Sequence, residues 1–138
     1  MQEGADIIFP VAGPVGQGAM AAVKDNPSGL DTPLFIGVDV DQYISVPGFE
    51  SIMLSSVLKR IDNAVFEAIK QAMAGPFTSN LYVGTLANEG VGMAPFHDLD
   101  SAVSAELKGE IDALKAALID GSVTADAFSG QPPASAAP

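Results

Sequence analysis

The chain has 138 residues, of which 48% are hydrophobic and 17% are charged, a composition typical of one globular domain rather than of a disordered segment. The net charge of −11, with only six lysines and arginines, argues against binding to nucleic-acid phosphates and against a polybasic membrane patch. Cysteine is absent, so the sequence contains no disulfide, no zinc–thiolate site and no thiolate nucleophile.

The first six residues lack the basic region and the long apolar stretch of a signal peptide. No run of about 18 apolar residues is present to span a bilayer. Because a strand is predicted to begin almost at once, at Ile7, we expect this chain to be the later part of a longer protein whose upstream portion could carry a targeting signal.

A β–loop–α–β unit is predicted at the start of the chain. An apolar run, Asp6–Ala12, predicts a buried strand, and the glycine-containing turn at residues 13–18 leads into an alanine-rich helix, Gln17–Lys24. Asn26-Pro27-Ser28-Gly29 is a stop signal for that helix. The next apolar run, Leu34–Asp39, predicts a second strand, parallel to the first and reached by a right-handed crossover.

The second half of the sequence alternates between strand and helix patterns. Apolar residues at spacings of three and four indicate two amphipathic helices. The predicted elements are a short strand around Ser51–Leu54, a helix over Ser56–Ala74, a strand over Leu81–Gly84, a glycine-rich loop over Asn88–Met93 and a helix over Ser101–Ile119, which Gly121 ends.

Asp39 and Asp41 lie where the predicted strand Leu34–Asp39 ends. Ligands of open parallel sheets bind beyond the carboxyl ends of the strands, where a carboxylate can accept hydrogen bonds from a vicinal diol. We expect Asp39 to face the ligand and Asp41 to belong to the turn, because two carboxylates directed the same way would repel. A helix cap or a solvated loop is the alternative, and a metal site would need more converging oxygen ligands.

The glycines at positions 13, 16 and 18 form a strand-to-helix turn that lets a ligand approach backbone N–H groups. Their spacing is not G-x-G-x-x-G, and the lysine of a phosphate-binding loop is missing. From spacing alone, a plain tight turn is the simpler explanation.

Lys59 is predicted to lie in the first turns of the helix Ser56–Ala74, with Asp62 three residues later. An exposed Lys–Asp pair on that helix explains Lys59 more simply than an ammonium directed at a ligand. His97 is the only histidine, and we expect it to be a surface side chain in a loop. No nucleophile elbow, HExxH motif or pair of catalytic carboxylates is present, so we expect no catalysis and no cofactor.

Four blocks of sequence together resemble one known family. They are GADIIFPVAG at residues 4–13, IGVDVDQ at 36–42, SSVLKRIDNAV at 55–65 and LANEGVGM at 86–93. They resemble, in the same order, the basic membrane protein family, the extracytoplasmic substrate-binding lipoproteins of purine-nucleoside ABC importers. The chain departs from the family at Pro14 and Glu89, where relatives often have glycine.

The resemblance implies an α/β fold, a parallel sheet flanked by helices, that forms part of a bilobed type I periplasmic-binding-protein fold with its first lobe missing. It also implies that Asp39 binds ribose hydroxyls, that Lys59 assists, and that Gly13 and Gly16 line the pocket. Lys59 thereby becomes a ligand contact rather than half of a helical ion pair.

Three segments follow from the resemblance. Residues 1–79 are expected to be a portion of the second lobe, residues 80–126 the hinge return with the C-terminal strand and helix, and residues 127–138 a flexible tail. An apolar face left exposed by the missing lobe is expected to cause self-association.

The function implied by the resemblance is the binding of a purine nucleoside, or a similar ribose-containing solute, by the substrate-binding component of an ABC importer. The expected partners are the nucleoside and an ABC permease, without nucleic acid, and the full-length parent is expected to be a membrane-anchored extracytoplasmic lipoprotein. The alternative is a ligand-sensing effector domain of a regulator built on the same fold. An enzyme with a nucleotide-binding α/β domain is a third class.

Overall fold

A four-stranded sheet organises the chain, for which a computed structural model describes residues 5–26, 33–75 and 81–125. The strands are β1 (Ile7–Ile8), β2 (Leu34–Asp39), β3 (Met53–Lys59) and β4 (Val91–Met93), and they lie side by side in this order. β1, β2 and β3 are parallel, whereas β4 is antiparallel to β3. The parallel arrangement brings the carboxyl ends of three strands to one edge of the sheet.

Helical segments connect these strands. The α-helices are α1 (Gly16–Asp25), α2 (Gln42–Ser45), α3 (Ile61–Ala74) and α4 (Ala105–Asp120), with 3-10 turns at Gly13–Val15, Glu50–Ile52 and His97–Ala102. α1 ends as predicted at Asn26, whose φ of +44° is the left-handed conformation of a helix C-cap. The rest of the predicted stop signal, residues 27–29, and the predicted tail lie outside the described residues.

The hydrophobic core is formed by one face of α1 and one face of the sheet. Met20 and Val23, three residues apart on α1, are almost fully buried, as are Phe35 of β2 and Met53 of β3. Ile52 completes this cluster. The core therefore fixes α1, and the loop that leads into it, against the strands whose ends meet at the sheet edge.

β1 is shorter than the predicted strand Asp6–Ala12, since only Ile7 and Ile8 pair with β2. Pro10 lacks an N–H donor and cannot continue a ladder of hydrogen bonds. The residues after Ile8 therefore leave the sheet at the level of Phe35, before β2 ends at Asp39.

The predicted division between the strand Ser51–Leu54 and the helix Ser56–Ala74 was wrong. β3 continues to Lys59, and α3 begins only at Ile61. Helical spacing of apolar residues extends back into this segment, but the segment pairs with β2 on one side and β4 on the other. Those two ladders outweigh a local helical pattern.

The assignments around the predicted glycine-rich loop were also wrong. Leu81–Gly84 has no regular secondary structure, and Val91–Met93, expected in the loop, is strand β4. Asn88 holds the segment on both sides of it, because its side chain donates to the carbonyl of Val83 and accepts from the backbone N–H groups of Thr85 and Gly90. These hydrogen bonds replace the strand pairing that the apolar pattern suggested.

A boundary between two compact units lies between Ala102 and Val103, so α4 belongs to the second unit. α4 begins four residues later than predicted: the Ser104 hydroxyl oxygen accepts the Leu107 N–H at 3.1 Å as its N-cap. It ends at Gly121 as predicted, with a left-handed φ of +79°.

Candidate functional site at the carboxyl edge of the sheet

A cleft of about 140 Å³ lies at the sheet edge where β1, β2 and β3 end. We call it the sheet-edge cleft. The residues that line it come from the segment after β1 and from the last residues of β2 and β3: Phe9, Val11, Ala12, Gly13, Val38, Asp39, Val57 and Lys59. This is the position in which open parallel α/β sheets bind ligands.

Asp39 and Lys59 form an ion pair in this cleft. Asp39 is the last residue of β2 and Lys59 is the last residue of β3, and the Asp39 Oδ1 lies 2.8 Å from the Lys59 Nζ. The earlier expectation of a helical Lys59 paired with Asp62 was wrong, because Lys59 is in a strand and Asp62 is held by Arg60. Both side chains of the cleft pair are open to solvent, with exposed fractions of 39% for Asp39 and 68% for Lys59.

The backbone of Asp39 has an unusual conformation. Its φ is +73°, and the Val40 N–H donates to the Val38 carbonyl at 2.9 Å, so Asp39 is the central residue of a γ-turn. Strain of this kind costs on the order of 1–3 kcal/mol. An exposed ion pair stabilises a protein by about 0–1 kcal/mol. The pair with Lys59 therefore does not by itself offset the strain, and neighbouring contacts must hold the turn.

Gly13 borders directly on the carboxylate, whereas Gly16 does not. A side chain at Gly13 would lie 3.6 Å from the Asp39 Oδ2, and the φ of Gly13 is +51°, which favours glycine. Gly16 is buried under Pro10 and Phe35 and belongs to the packing of α1. The structure thus brings Gly13, Asp39 and Lys59 together and leaves Gly16 outside the lining of the cleft; their roles in ligand binding stay predictions.

Asp41 belongs to the turn, as expected. Its Oδ1 accepts the Tyr43 N–H at 3.2 Å and caps α2, while its Oδ2 lies 2.8 Å from the Nε2 of His97. The expectation of a surface histidine was wrong: the His97 side chain is only 20% exposed, and its ring stacks on Tyr43 with centroids 4.0 Å apart. A partner 56 residues away in the sequence left no local signal for this contact.

Tyr43 and Asp62, which do not line the cleft, have shifted pKa values. The Asp98 carboxylate hydrogen-bonds the Tyr43 side chain and raises the pKa of its phenol, to which partial burial and the charges of Glu50 and Asp41 add. Near the start of α3, the hydrogen bonds from Arg60 lower the pKa of Asp62. Within residues 5–26, 33–75 and 81–125, no three His, Asp or Glu side chains are grouped so that they could hold a metal ion.

The apolar walls of the cleft were missed at the level of the sequence. Phe9, Val11, Val38 and Val57 were assigned to strand or helix interiors, yet all four line the cleft. The one available signal was their position, next to Pro10 or within two residues of the charged residue that ends a strand.

Solved structures that resemble this chain define the class of fold. A solute-binding protein of an ABC transporter system from Aeropyrum pernix K1 superposes with a TM-score of 0.72 at 22% identity, over 89% of this chain and 40% of that chain. A similar protein from Conexibacter woesei has a TM-score of 0.64 at 21% identity, over 89% of this chain and 38% of that one. A transcriptional activator of the comK gene from Bacillus halodurans has a TM-score of 0.67 at 22% identity, over 96% of this chain and 40% of that chain. The fold is therefore part of the α/β fold of solute-binding proteins.

The family follows from the sequence comparison. The Bmp family, described as ABC transporter substrate-binding protein PnrA-like, matches residues 1–126, and the chain belongs to it. This confirms the resemblance drawn from the four sequence blocks.

Two relatives, uncharacterized lipoproteins of Pyrococcus abyssi and Pyrococcus horikoshii, are each 34% identical over 117 residues, or 83% of this chain. The chain spans less than a third of their length, 28% and 27% respectively. In the described part of this chain, no helix is both long enough and apolar enough to cross a membrane.

Glu89, a position at which the resemblance implies glycine, has a φ of +55°, in the left-handed region that glycine adopts without cost.

Proposed function

We infer that this member of a substrate-binding family binds a purine nucleoside, or a similar ribose-containing solute, as part of an ABC importer. The observation that carries the proposal is the carboxylate of Asp39, paired with the ammonium of Lys59, in an apolar cleft at the carboxyl ends of three parallel strands. In this proposal the Asp39 carboxylate accepts hydrogen bonds from the two vicinal hydroxyls of ribose.

Lys59 suits the second contact. An ammonium has three donors, and the one directed at Asp39 leaves two for a ligand hydroxyl. The apolar side chains Phe9, Val11 and Val57 face the same space and provide contact surface for the carbon skeleton of the sugar.

The size of the cleft supports a site shared with residues that this chain does not contain. Pockets for small molecules have volumes of roughly 300–1,000 Å³ and bury most of the ligand. The sheet-edge cleft, at about 140 Å³, is smaller than that range. We therefore assign the sugar to this cleft and the base to a second wall, in keeping with the lengths of the relatives.

The test is calorimetric titration of the full-length gene product with inosine, guanosine and their 2′-deoxy forms. A site built to hydrogen-bond hydroxyls strongly penalises a ligand that lacks one, so the ribonucleosides should bind at least about tenfold more tightly. Equal affinities would remove Asp39 from its assigned role, and the absence of binding by all four would overturn the nucleoside proposal.

A matched pair of lysine variants sharpens this test. Lys59→Met should weaken inosine binding by about tenfold, since a hydrogen bond from a charged group is lost. Lys70→Met removes a lysine that is similarly exposed and paired with Glu67 on α3, and it should leave the affinity unchanged. Equal effects of the two variants would indicate an unspecific response to charge.

The location and the protein partner follow from the same proposal. Both Pyrococcus relatives are lipoproteins, which supports an extracytoplasmic, lipid-anchored parent, and an ABC permease is the proposed partner.

A sensor is the second candidate function, because a transcriptional activator has a similar fold. Closure around a ligand would then be detected by a regulatory partner rather than by a permease. Any sequence that the gene encodes upstream of Met1 separates the two: a lipoprotein signal supports import, and a helix-turn-helix domain supports regulation.

A further inference from the structure

The γ-turn at Asp39 is held on its strand side by Gln42. The Gln42 Nε2 donates to the Val38 carbonyl at 3.1 Å, and the Gln42 backbone N–H donates to the Ser56 Oγ at 3.1 Å. Neither Gln42 nor Ser56 lines the sheet-edge cleft. The turn is thus held by Gln42 and Ser56, whose side chains lie outside the lining of the cleft.

On the other side, the support comes from a distant part of the chain. Asp41 follows the turn, and its Oδ2 lies 2.8 Å from the His97 Nε2, while the His97 ring is stacked on Tyr43 at an interplanar angle of 10°. Both side chains of the Asp41–His97 contact are about four-fifths buried. Water therefore competes less for this contact than for the exposed pair of Asp39 and Lys59.

His97 is itself held by the sheet. The segment between β4 and His97 is attached to β3, because the Ala94 N–H donates to the Ser56 carbonyl at 2.8 Å and the Ser55 Oγ donates to the Ala94 carbonyl at 2.8 Å. Ser55 and Ser56 are almost fully buried. The backbone three residues before His97 is therefore held to β3 by two hydrogen bonds.

A hydrogen bond to a carboxylate is among the stronger kinds in proteins, and it is comparable in size with the strain of a left-handed non-glycine residue. The exposed Asp39–Lys59 pair is too weak to offset that strain. We propose that His97 is a positioning residue, whose hydrogen bond to Asp41 holds the γ-turn so that the Asp39 carboxylate is directed into the sheet-edge cleft for the ligand. This proposal rests on the proposed function of Asp39.

The experiment compares variants of the full-length gene product by calorimetric titration with inosine. His97→Ala removes the hydrogen bond. Asp41→Ser also removes it, yet keeps an oxygen that caps α2. His97→Gln keeps a donor at this position, and Glu67→Gln is the control, because Glu67 makes an ion pair on α3 away from the cleft lining.

His97→Ala and Asp41→Ser should each weaken inosine binding by about tenfold. The double variant should bind no more weakly than either single variant, since both remove the same contact. His97→Gln should recover most of the affinity, and Glu67→Gln should match the unmutated protein. Thermal unfolding of each variant verifies that it is folded.

Unchanged affinity in His97→Ala, losses that multiply in the double variant, or a His97→Gln protein as weak as His97→Ala would each overturn the proposal. A second measurement tests the proposal without a ligand. It is the amide hydrogen-exchange rate of the Val40 N–H, whose hydrogen bond closes the γ-turn. Exchange should be about tenfold faster in His97→Ala. If the unmutated protein binds no inosine, the proposed function fails, and an unchanged Val40 exchange rate then overturns the positioning role as well.

Discussion

Asp39 combines a left-handed φ of +73° with a carboxylate that lines the sheet-edge cleft. We expect Asp39→Ala to weaken ribonucleoside binding by about 2–4 kcal/mol, because the ligand hydroxyls lose a charged acceptor. Asp41→Ala should cost less, about 1.4 kcal/mol for the tenfold loss expected on breaking the contact with His97, since Asp41 is directed at Tyr43 and His97 rather than at the cleft. Titration calorimetry on both variants is the measurement, and equal losses would contradict this orientation of the loop.

Gly13 and Gly18 lie in the same loop-to-helix segment but differ in what a methyl group would meet. Gly13→Ala should destabilise the fold by about 1–2 kcal/mol, because its φ of +51° disfavours a side chain. Gly18 lies in α1 with open space around it, so Gly18→Ala should stabilise by about 0.5–1 kcal/mol. Denaturant unfolding compares the two, and a stabilising Gly13→Ala would show that the left-handed turn is not required.

At the scale of the element, α3 presents an apolar row that nothing in the described part of the chain covers. Four of its members recur every four residues, and Phe66 lies beside one of them. All five are 52% to 84% exposed: Ile61, Val65, Phe66, Ile69 and Met73. Exposed apolar patches of this kind are sites of association. We therefore expect this chain, prepared by itself, to self-associate through α3.

Sedimentation velocity tests this expectation over a range of concentrations. Val65→Glu and Ile69→Glu should reduce association, whereas Gln71→Glu, which adds the same charge to α3 outside the apolar row, should not. An unmutated chain that remains monomeric at high concentration would contradict the prediction.

β3 shows why the limits of strands and helices were harder to predict than the identity of the candidate site residues. Apolar residues at helical spacing continue without interruption from β3 into α3, so periodicity placed the start of the helix too early. The segment instead forms a strand, in which Ser55 and Ser56 are buried and which pairs with β2 on one side and β4 on the other. That decision moved Lys59 to a strand end, where its Nζ reaches Asp39.

At the scale of the whole molecule, affinity depends on how much of the ligand is enclosed. We expect this chain alone to bind inosine at least about a hundredfold more weakly than the full-length gene product, because the sheet-edge cleft is smaller than a complete small-molecule pocket. Titration of both proteins under the same conditions is the measurement. Equal affinities would show that the cleft needs no second wall.

Some features of this protein follow from its sequence alone. The apolar run Leu34–Asp39 has the same limits as β2, and the order of four short blocks was enough to identify the family. The apolar run and the charged residues that end it are local properties, so no knowledge of distant contacts was needed to choose Asp39 as a candidate ligand contact.

Other features were decided only by the tertiary structure. The strand position of Lys59, its ion pair with Asp39 and the burial of His97 against Asp41 all depend on residues that are far apart in the chain. Hydrogen bonds between strands and contacts across 20 to 56 residues leave no periodic trace in the sequence. The identity of the candidate residues was therefore readable in advance, whereas the geometry that lets them act together was not.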